Sequence, residues 1–322
     1  MTRLVAVDIG GTNARFAIAR VEDGVISVGE PVTLKTSDHV SLQTAWQAFE
    51  AQADEPVPRA AAIAIAAPIS GQVIRMTNNS WVLDTAALDR QLELDRVTVL
   101  NDFGAVAHAV AQAPAEDFVH IAGPDGPLPT SGTISVVGPG TGLGVAQFHR
   151  FSGGYHVQAT EGGHADFAPV DAIDDAILAR TRAEHRRVST ERINSGPGIL
   201  PIYRTLCALE GRNPDFDTDR EIWDAALAGT DMMAKAAMAR LCMTLGSVAG
   251  DIALTHGASA VVLAGGLGLR LRAHLPGSGF AERFAFKGRY EGLMAGLPVK
   301  LIVQPEPGLY GAVAAFLQQH GA

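Results

Sequence analysis

Short apolar runs alternate with amphipathic stretches along the first hundred residues. Residues 4–7, 16–19, 25–32, 61–65 and 97–100 have the length and apolar character of strands. Between them, Leu42, Ala45, Trp46 and Phe49 recur at helical spacing within residues 41–53, with Ser41 placed to cap the helix. Residues 85–92 read as a second helix. Hairpins first and helices later predict a mixed sheet with helical cover.

After Asn101-Asp102-Phe103, residues 104–112 form an alanine-rich helical pattern, and the segment from Gly123 to Pro129 breaks the chain. A strand–turn–strand pattern restarts at Thr133, which predicts a second domain of related architecture. Residues 171–187 read as a helix with Asp171, Asp174 and Asp175 at its start and Arg186 and Arg187 at its end, complementing the helix dipole. Residues 231–256 read as a longer helix stopped by Gly257. An apolar strand at 260–264 runs into Gly265-Gly266, and a strand at 299–303 and a helix at 311–319 close the pattern.

At 322 residues the chain is long enough for two domains. A formal net charge of −9 argues against nucleic acid or anionic membrane as a partner. An anionic substrate must then be held by backbone donors, metal and a few placed cations. Cys207 and Cys242 are too few for a disulfide framework or a cysteine zinc module, and they fit a reducing compartment. The N-terminus runs directly into a strand without a signal-peptide pattern, and the apolar stretch 232–256 carries Lys235, Arg240 and Asp251. A soluble cytoplasmic protein is the expectation. Asn78-Asn79-Ser80 matches a glycosylation sequon, which carries no weight without secretion.

Two glycine-rich turns carry the chemistry. Asp8-Ile9-Gly10-Gly11-Thr12-Asn13 and Gly138-Pro139-Gly140-Thr141-Gly142 each lie between strand-like runs. Glycine permits close backbone approach, so successive N–H groups can converge on an anion. Threonine adds a hydroxyl donor, and Asp8 adds a carboxylate able to hold Mg²⁺ through its water shell. Any one such turn, taken alone, reads more readily as a hairpin loop. Threonine in both, Asp8 in the first and a third pair, Gly265-Gly266, after a buried strand favour a nucleotide. The chain has no Walker A sequence, and the second turn has the wrong spacing for a dinucleotide fingerprint. Strand–turn–strand phosphate clamps remain.

Asp102 follows the strand at 97–100, where mixed sheets place ligand-handling residues. It reads either as the base that accepts a proton from an attacking hydroxyl or as the cap of the following helix. Asn101 beside it, with phosphate clamps elsewhere, favours the base. Glu161, His164 and Glu191 are polar groups in or near glycine-rich segments, suited to pairing sugar hydroxyls. A turn histidine and a helix-terminus carboxylate are the alternatives for His164 and Glu191. Ser195-Gly196-Pro197-Gly198 either approaches a nucleotide or ends a helix, Asn78-Asn79-Ser80-Trp81 reads as a turn near the sugar, and His120, His256 and Trp223 read as packing or surface residues.

The glycine turns, Leu100-Asn101-Asp102-Phe103, Glu161-Gly162-Gly163-His164, Val188-Ser189-Thr190-Glu191-Arg192 and Ser195-Gly196-Pro197-Gly198 together resemble the bacterial glucokinase family, within the sugar kinase, actin and heat-shock chaperone ATPase fold group. The related ROK kinases usually add a His and Cys zinc cluster that a two-cysteine chain cannot supply. The resemblance implies an α/β chain with the two-domain ribonuclease H-like (actin-like ATPase) fold, its mixed sheets flanked by helices around an interdomain cleft. The smaller domain would hold residues 1–111 plus 303–322, and the larger 112–302. It further implies a glucokinase: ATP phosphorylates glucose to glucose 6-phosphate for glycolysis. Asp102 would be the base, with Asn101, Asp102, Glu161, His164 and Glu191 on the sugar. Asp8, Gly10, Gly11, Thr12, Asn13, Gly138, Gly140, Thr141 and Gly142 would hold the phosphates and hydrated Mg²⁺, and Gly265 and Gly266 the adenine. A homodimer is common in that family. A kinase for another hexose or an N-acetyl amino sugar, and a non-catalytic actin-like nucleotide switch, remain as alternatives.

Overall fold

In the computed structural model, which describes residues 1–76 and 79–321, the chain divides into two compact units. Unit 1 comprises residues 1–114, 157–159 and 304–322, and unit 2 comprises 115–156 and 160–303.

Unit 1 holds strands β1 (Thr2–Ile9), β2 (Asn13–Glu22), β3 (Val25–Val28), β4 (Val32–Lys35), β5 (Ala60–Ile65), β6 (Val73–Arg75), β7 (Val82–Asp84) and β8 (Arg96–Asn101). Its helices are α1 (Leu42–Glu50), α2 (Leu88–Gln91), α3 (Asp102–Gln112) and the C-terminal helix Pro307–His320. The main sheet runs β3-β2-β1-β5-β8, with β4 also paired to β2. β1 and β2 are antiparallel, whereas β1, β5 and β8 are parallel. The continuous apolar run of β5 is buried at every position, as a central parallel strand covered on both faces requires.

Alternation along β1 divides the core between the two faces. Val5, Val7 and Ile9 pack with Phe16 against Leu42, Trp46 and Phe49 of α1. The Phe16 ring stacks on Phe49 at 5.3 Å and meets Trp46 edge-on at 6.3 Å. Leu4 and Ala6 pack instead with Leu309, Val313 and Phe316 of the C-terminal helix. Ser41 caps α1 through a reciprocal box with Thr44.

Two expectations change in this unit, and one hairpin is added. Residues 25–32 are two strands, because Gly29, Glu30 and Pro31 divide them and the Gly29 N–H donates to the Ile18 carbonyl at 3.0 Å. Only Leu88–Gln91 of the helix expected at 85–92 is α-helical. The β6–β7 hairpin is too short to announce itself by alternation, and Asn78 of the sequon lies outside the described residues.

Unit 2 holds β9 (Phe118–Ala122), β10 (Gly132–Pro139), β11 (Leu143–Phe151), β12 (Gly154–Thr160, its last residues assigned partly to unit 1), β13 (Ala258–Leu263) and β14 (Val299–Ile302). Its helices are α4 (Ala172–Glu184), α5 (Thr190–Ile193), α6 (Ile199–Leu209), α7 (Asp219–Ala228), α8 (Met232–His256), α9 (Gly265–Arg270), α10 (Phe280–Ala285) and α11 (Glu291–Ala295). The sheet order is β12-β11-β10-β13-β14-β9. An antiparallel β10–β11 hairpin followed by parallel β13 and β14 repeats the pattern of β1, β2, β5 and β8. The restart at Thr133 therefore marks a repeated topology. α8 is long and apolar enough to cross a membrane, and 78% of its most apolar window is buried inside the protein. Gly257 ends it in the left-handed conformation, φ +58°.

The acidic start of α4 does more than complement a dipole. Asp171 caps the helix, and Asp171 and Asp174 meet Arg240 of α8 and Arg283 of α10. Arg240 lies 2.7 Å from Asp171 and 3.2 Å from Asp174, and Arg283 lies 3.1 Å from Asp174. The Asp174 side chain is 1% exposed, so two guanidiniums compensate a fully buried carboxylate.

Candidate active site

In unit 1 the first glycine turn joins β1 to β2. The Gly10 N–H closes the turn onto the Asn13 carbonyl at 2.9 Å, and Thr36 secures it from outside through Gly11 and Thr12 carbonyls at 2.8 and 2.9 Å. Gly10 therefore shapes the turn while its own N–H is committed. Among the described residues the N–H groups of Gly11 and Thr12 have no internal partner. Asn79 reaches the Gly10 carbonyl at 3.4 Å.

Asp8 pairs across the hairpin with Arg15, whose Nη1 lies 3.4 Å from the Asp8 carboxylate. The Arg15 Nε also lies 3.7 Å from Glu306. Burial raises the Asp8 carboxyl above its ordinary pKa; Arg15 pulls it down, and Glu306 pushes it up again. Glu306 precedes the C-terminal helix with φ +48°, a left-handed conformation that costs a non-glycine residue about 1–2 kcal/mol. Two residues on, Gly308 lets the helix start against Asp8, since a Cβ there would stand 3.0 Å from the carboxylate. Sequence reasoning missed Arg15, Glu306 and Gly308; only the ion pair's strand register was readable locally.

Among the described residues no cluster of three or more His, Cys, Asp or Glu side chains forms a metal site. A divalent cation at Asp8 would need phosphate and water oxygens for its remaining ligands, which suits Mg²⁺. The fit is chemical as well: Asp8 is a partly buried carboxyl, its side chain 21% exposed, with one long contact to a cation.

Asn101 ends β8 and caps α3, its Oδ1 accepting from Phe103 and Gly104 N–H at 2.9 and 3.0 Å. Its amide nitrogen donates to the Ala67 carbonyl at 3.2 Å. The cap role considered for Asp102 thus belongs to Asn101. One Asp102 oxygen accepts from the Phe103 N–H at 2.8 Å, and the residue is half-buried. Asp8 pairs with Ala64 and Asn101 with Ile65, so Asp8 and Asp102 sit at the same end of three parallel strands. Two strand spacings, about 10 Å, separate Asp8 from Leu100, two residues before Asp102.

In unit 2 the second turn joins β10 to β11, with Gly138 opposite Gly144. The Gly140 N–H closes it onto the Gly142 carbonyl at 2.8 Å, and the Gly140 carbonyl accepts from Gly196 at 2.7 Å. Among the described residues the N–H groups of Thr141 and Gly142 have no internal partner. Gly142 has a further reason to lack a side chain: a Cβ would collide with the Glu191 carboxylate, which accepts from the Leu143 N–H at 2.9 Å. Gly163 is more strictly required, because the main-chain carbonyl of Leu143 fills the space of its missing Cβ.

Glu161, His164 and Glu191 converge. His164 Nε2 lies 3.8 Å from Glu161, and its Nδ1 lies 3.9 Å from Glu191. The three are one-third to over one-half exposed, a polar rim open to a ligand. Thr190 fastens the rim by donating to the Gly163 carbonyl at 2.7 Å.

A pocket of about 630 Å³ adjoins the second turn, lined by Gly140, Thr141, Gly196, Trp223, Gly266 and Arg270 among others. Gly265 and Gly266 are the first turn of α9, not a loop. Gly265 adopts φ +81° with its missing Cβ beside the Pro139 carbonyl, and the space where a Gly266 Cβ would point is open. Trp223 is 2% exposed overall, donates its indole N–H to the Gly196 carbonyl at 2.8 Å and carries the Arg270 guanidinium 5.9 Å above its ring. It packs, as expected, yet it also builds a pocket wall.

The glucokinase family model matches residues 4–320. A glucokinase from Zymomonas mobilis is 53% identical over 318 residues, 98% of each chain. One from Nitrobacter hamburgensis is 37% identical, covering 97% of this chain and 96% of its own. Among solved structures, a glucokinase from an Antarctic psychrotroph superposes with a TM-score of 0.86 at 32% identity, covering 99% of both chains. A ROK family glucokinase from Streptomyces griseus, solved with glucose and AMPPNP, shares the fold at a TM-score of 0.64 and 19% identity, covering 99% of this chain and 100% of its own.

Proposed function

Because the chain belongs to the glucokinase family, we propose that Asp102 and the two glycine turns transfer the γ-phosphoryl group of ATP to the 6-hydroxyl of glucose, yielding glucose 6-phosphate for glycolysis. The protein is a sugar kinase with the ribonuclease H-like, actin-like fold of that group. The observation that carries the residue assignment is Asp102 at the same strand ends as Asp8 and the first turn.

Unit 1 contributes Asp102 as the base, held beside the capping amide of Asn101. It also contributes the Gly11 and Thr12 N–H groups, the Thr12 hydroxyl and Asn13 toward phosphate oxygens, with Gly10 shaping the turn. Unit 2 contributes Thr141 and Gly142 N–H groups, with Gly138 and Gly140 shaping that turn. The rim of Glu161, His164 and Glu191 pairs sugar hydroxyls, which both donate and accept. The 630 Å³ pocket beside Gly265 and Gly266 has the size for an adenosine.

Mg²⁺, held by Asp8 through water, would neutralise charge on the phosphate oxygens. Asp102 orients the attacking hydroxyl and takes its proton as the oxygen bonds to phosphorus. The transition state is loose, so positioning and charge neutralisation outweigh the base. A homodimer, as the family resemblance implies, and a cytoplasmic setting, which two buried free cysteines suit, complete the reading.

The test is a coupled ADP-release assay with ATP, Mg²⁺ and a panel of hexoses. Glucose should give the highest kcat/KM. ADP release that ignores added sugar would sink the assignment.

A further inference from the structure

A second pocket in unit 2, of about 340 Å³, lies on the other side of the Thr141 and Pro197 wall. His185, Ser189, Arg192, Ser195 and Arg204 line it, with Glu184 and Glu191 also on its border. Arg192 donates to the Nε2 of His185 at 3.1 Å, and Arg204 reaches only the Asp217 carbonyl, at 3.4 Å. Among the described residues neither guanidinium has a carboxylate within 4.0 Å, whereas Arg240 and Arg283 each have two. The Glu191 carboxylate is already committed to Leu143 and turned toward His164. Two guanidiniums without a carboxylate within 4.0 Å thus line one concavity, and a guanidinium left so is suited to receive an oxyanion. Ser189 and the buried Ser195 add hydroxyl donors.

We propose that this pocket binds a phosphate dianion, free or as the monoester of a small polyol, and that its occupancy adjusts nucleotide binding. The route is short. Arg192 is the neighbour of Glu191 on α5, Glu191 holds the Leu143 N–H, and Gly196 beside Ser195 donates to the Gly140 carbonyl. A ligand drawing on Arg192 and Ser195 therefore pulls on both fastenings of the second glycine turn. The binding claim is independent of the kinase reading; the regulatory claim rests on it.

The experiment is isothermal titration of inorganic phosphate and of glycerol 3-phosphate, each with and without saturating Mg²⁺-AMPPNP. Saturable binding with Kd on the order of millimolar is expected in both conditions, the two Kd values differing about threefold or more because coupling to the nucleotide is reciprocal; equal values would overturn the regulatory claim. Arg192→Gln with Arg204→Gln should weaken it about tenfold or more, at an unchanged melting temperature without phosphate. Should the double variant melt early, Arg204→Gln alone provides the reading. Tighter binding of glycerol 3-phosphate identifies a monoester ligand, and equal binding identifies free phosphate. No saturable binding, binding indifferent to the arginines, or binding abolished by the nucleotide would overturn the proposal. Failure of AMPPNP itself to bind would instead count against the nucleotide reading.

Discussion

The main-chain N–H of Leu143 donates to the Glu191 carboxylate across 2.9 Å, which ties the rim of Glu161, His164 and Glu191 to the second glycine turn. A hydrogen bond to a charged group contributes about 1.5–3 kcal/mol, or roughly ten- to a hundredfold in affinity. Glu191→Ala should therefore raise KM for ATP as well as for glucose, each within that range. Glu191→Gln keeps an acceptor for Leu143, so it should spare the ATP value and weaken glucose alone. A purely glucose-directed effect of the alanine variant would show that the tie is idle.

Asp102→Asn removes the proton acceptor without emptying the space. Turnover should fall on the order of 10²–10⁴-fold, while glucose binding by calorimetry stays nearly intact. Retained turnover would end the assignment of the base.

A Cβ at Gly140 meets nothing within 4 Å, so Gly140→Val should fold with a nearly unchanged melting temperature. Its branched side chain would crowd the route by which phosphates approach Thr141 and Gly142. ATP binding should be lost and glucose binding kept; normal ATP affinity would exclude the second turn from the phosphate site.

Asp8 titrates above its ordinary value of 3.8 chiefly because it is buried. The folded state thus holds this proton more tightly than the unfolded chain, and the associated stability is lost as pH rises through the folded pKa. Asp8→Asn abolishes that loss. Its melting temperature should exceed the parent's at neutral pH, and the difference should shrink as pH approaches 3.8. Activity should fall at the same time. Parallel melting curves at every pH would show that the carboxyl is not strained by burial.

Asp174→Ala strands Arg283, whose side chain is 7% exposed, next to a remaining carboxylate 39% exposed. Removing one partner from such a buried pair costs about 3–5 kcal/mol. Chemical denaturation should reveal a loss of that size; a change under about 1 kcal/mol would indicate that water replaces the carboxylate.

The glycine turns, the strand ends and the position of Asp102 just after β8 were legible because each depends on a few successive residues. The Glu191 tie was not, since Leu143 lies 48 positions away and nothing in either segment encodes the other. Trp223 was read as packing for the same reason: its partners Gly196 and Arg270 sit on other elements. The split near Gly29 and Pro31 was readable from the proline, which cannot donate to a central ladder. Apolar alternation across residues 25–32 obscured it. The acidic start of α4 looked like dipole chemistry because Arg240 and Arg283 are invisible from it.

Asp8 is completed by Glu306 and Gly308, and Gly311 lets the same helix nest against the Ala105 carbonyl of α3. The ribosome makes that helix after every residue of unit 2. Assembly must therefore invert the order of manufacture: the half begun first is the half finished last. A nascent chain halted before residue 307 would carry a finished unit 2 beside an exposed apolar face on Leu4, Ala6 and Ala17, the surface a chaperone would have to guard.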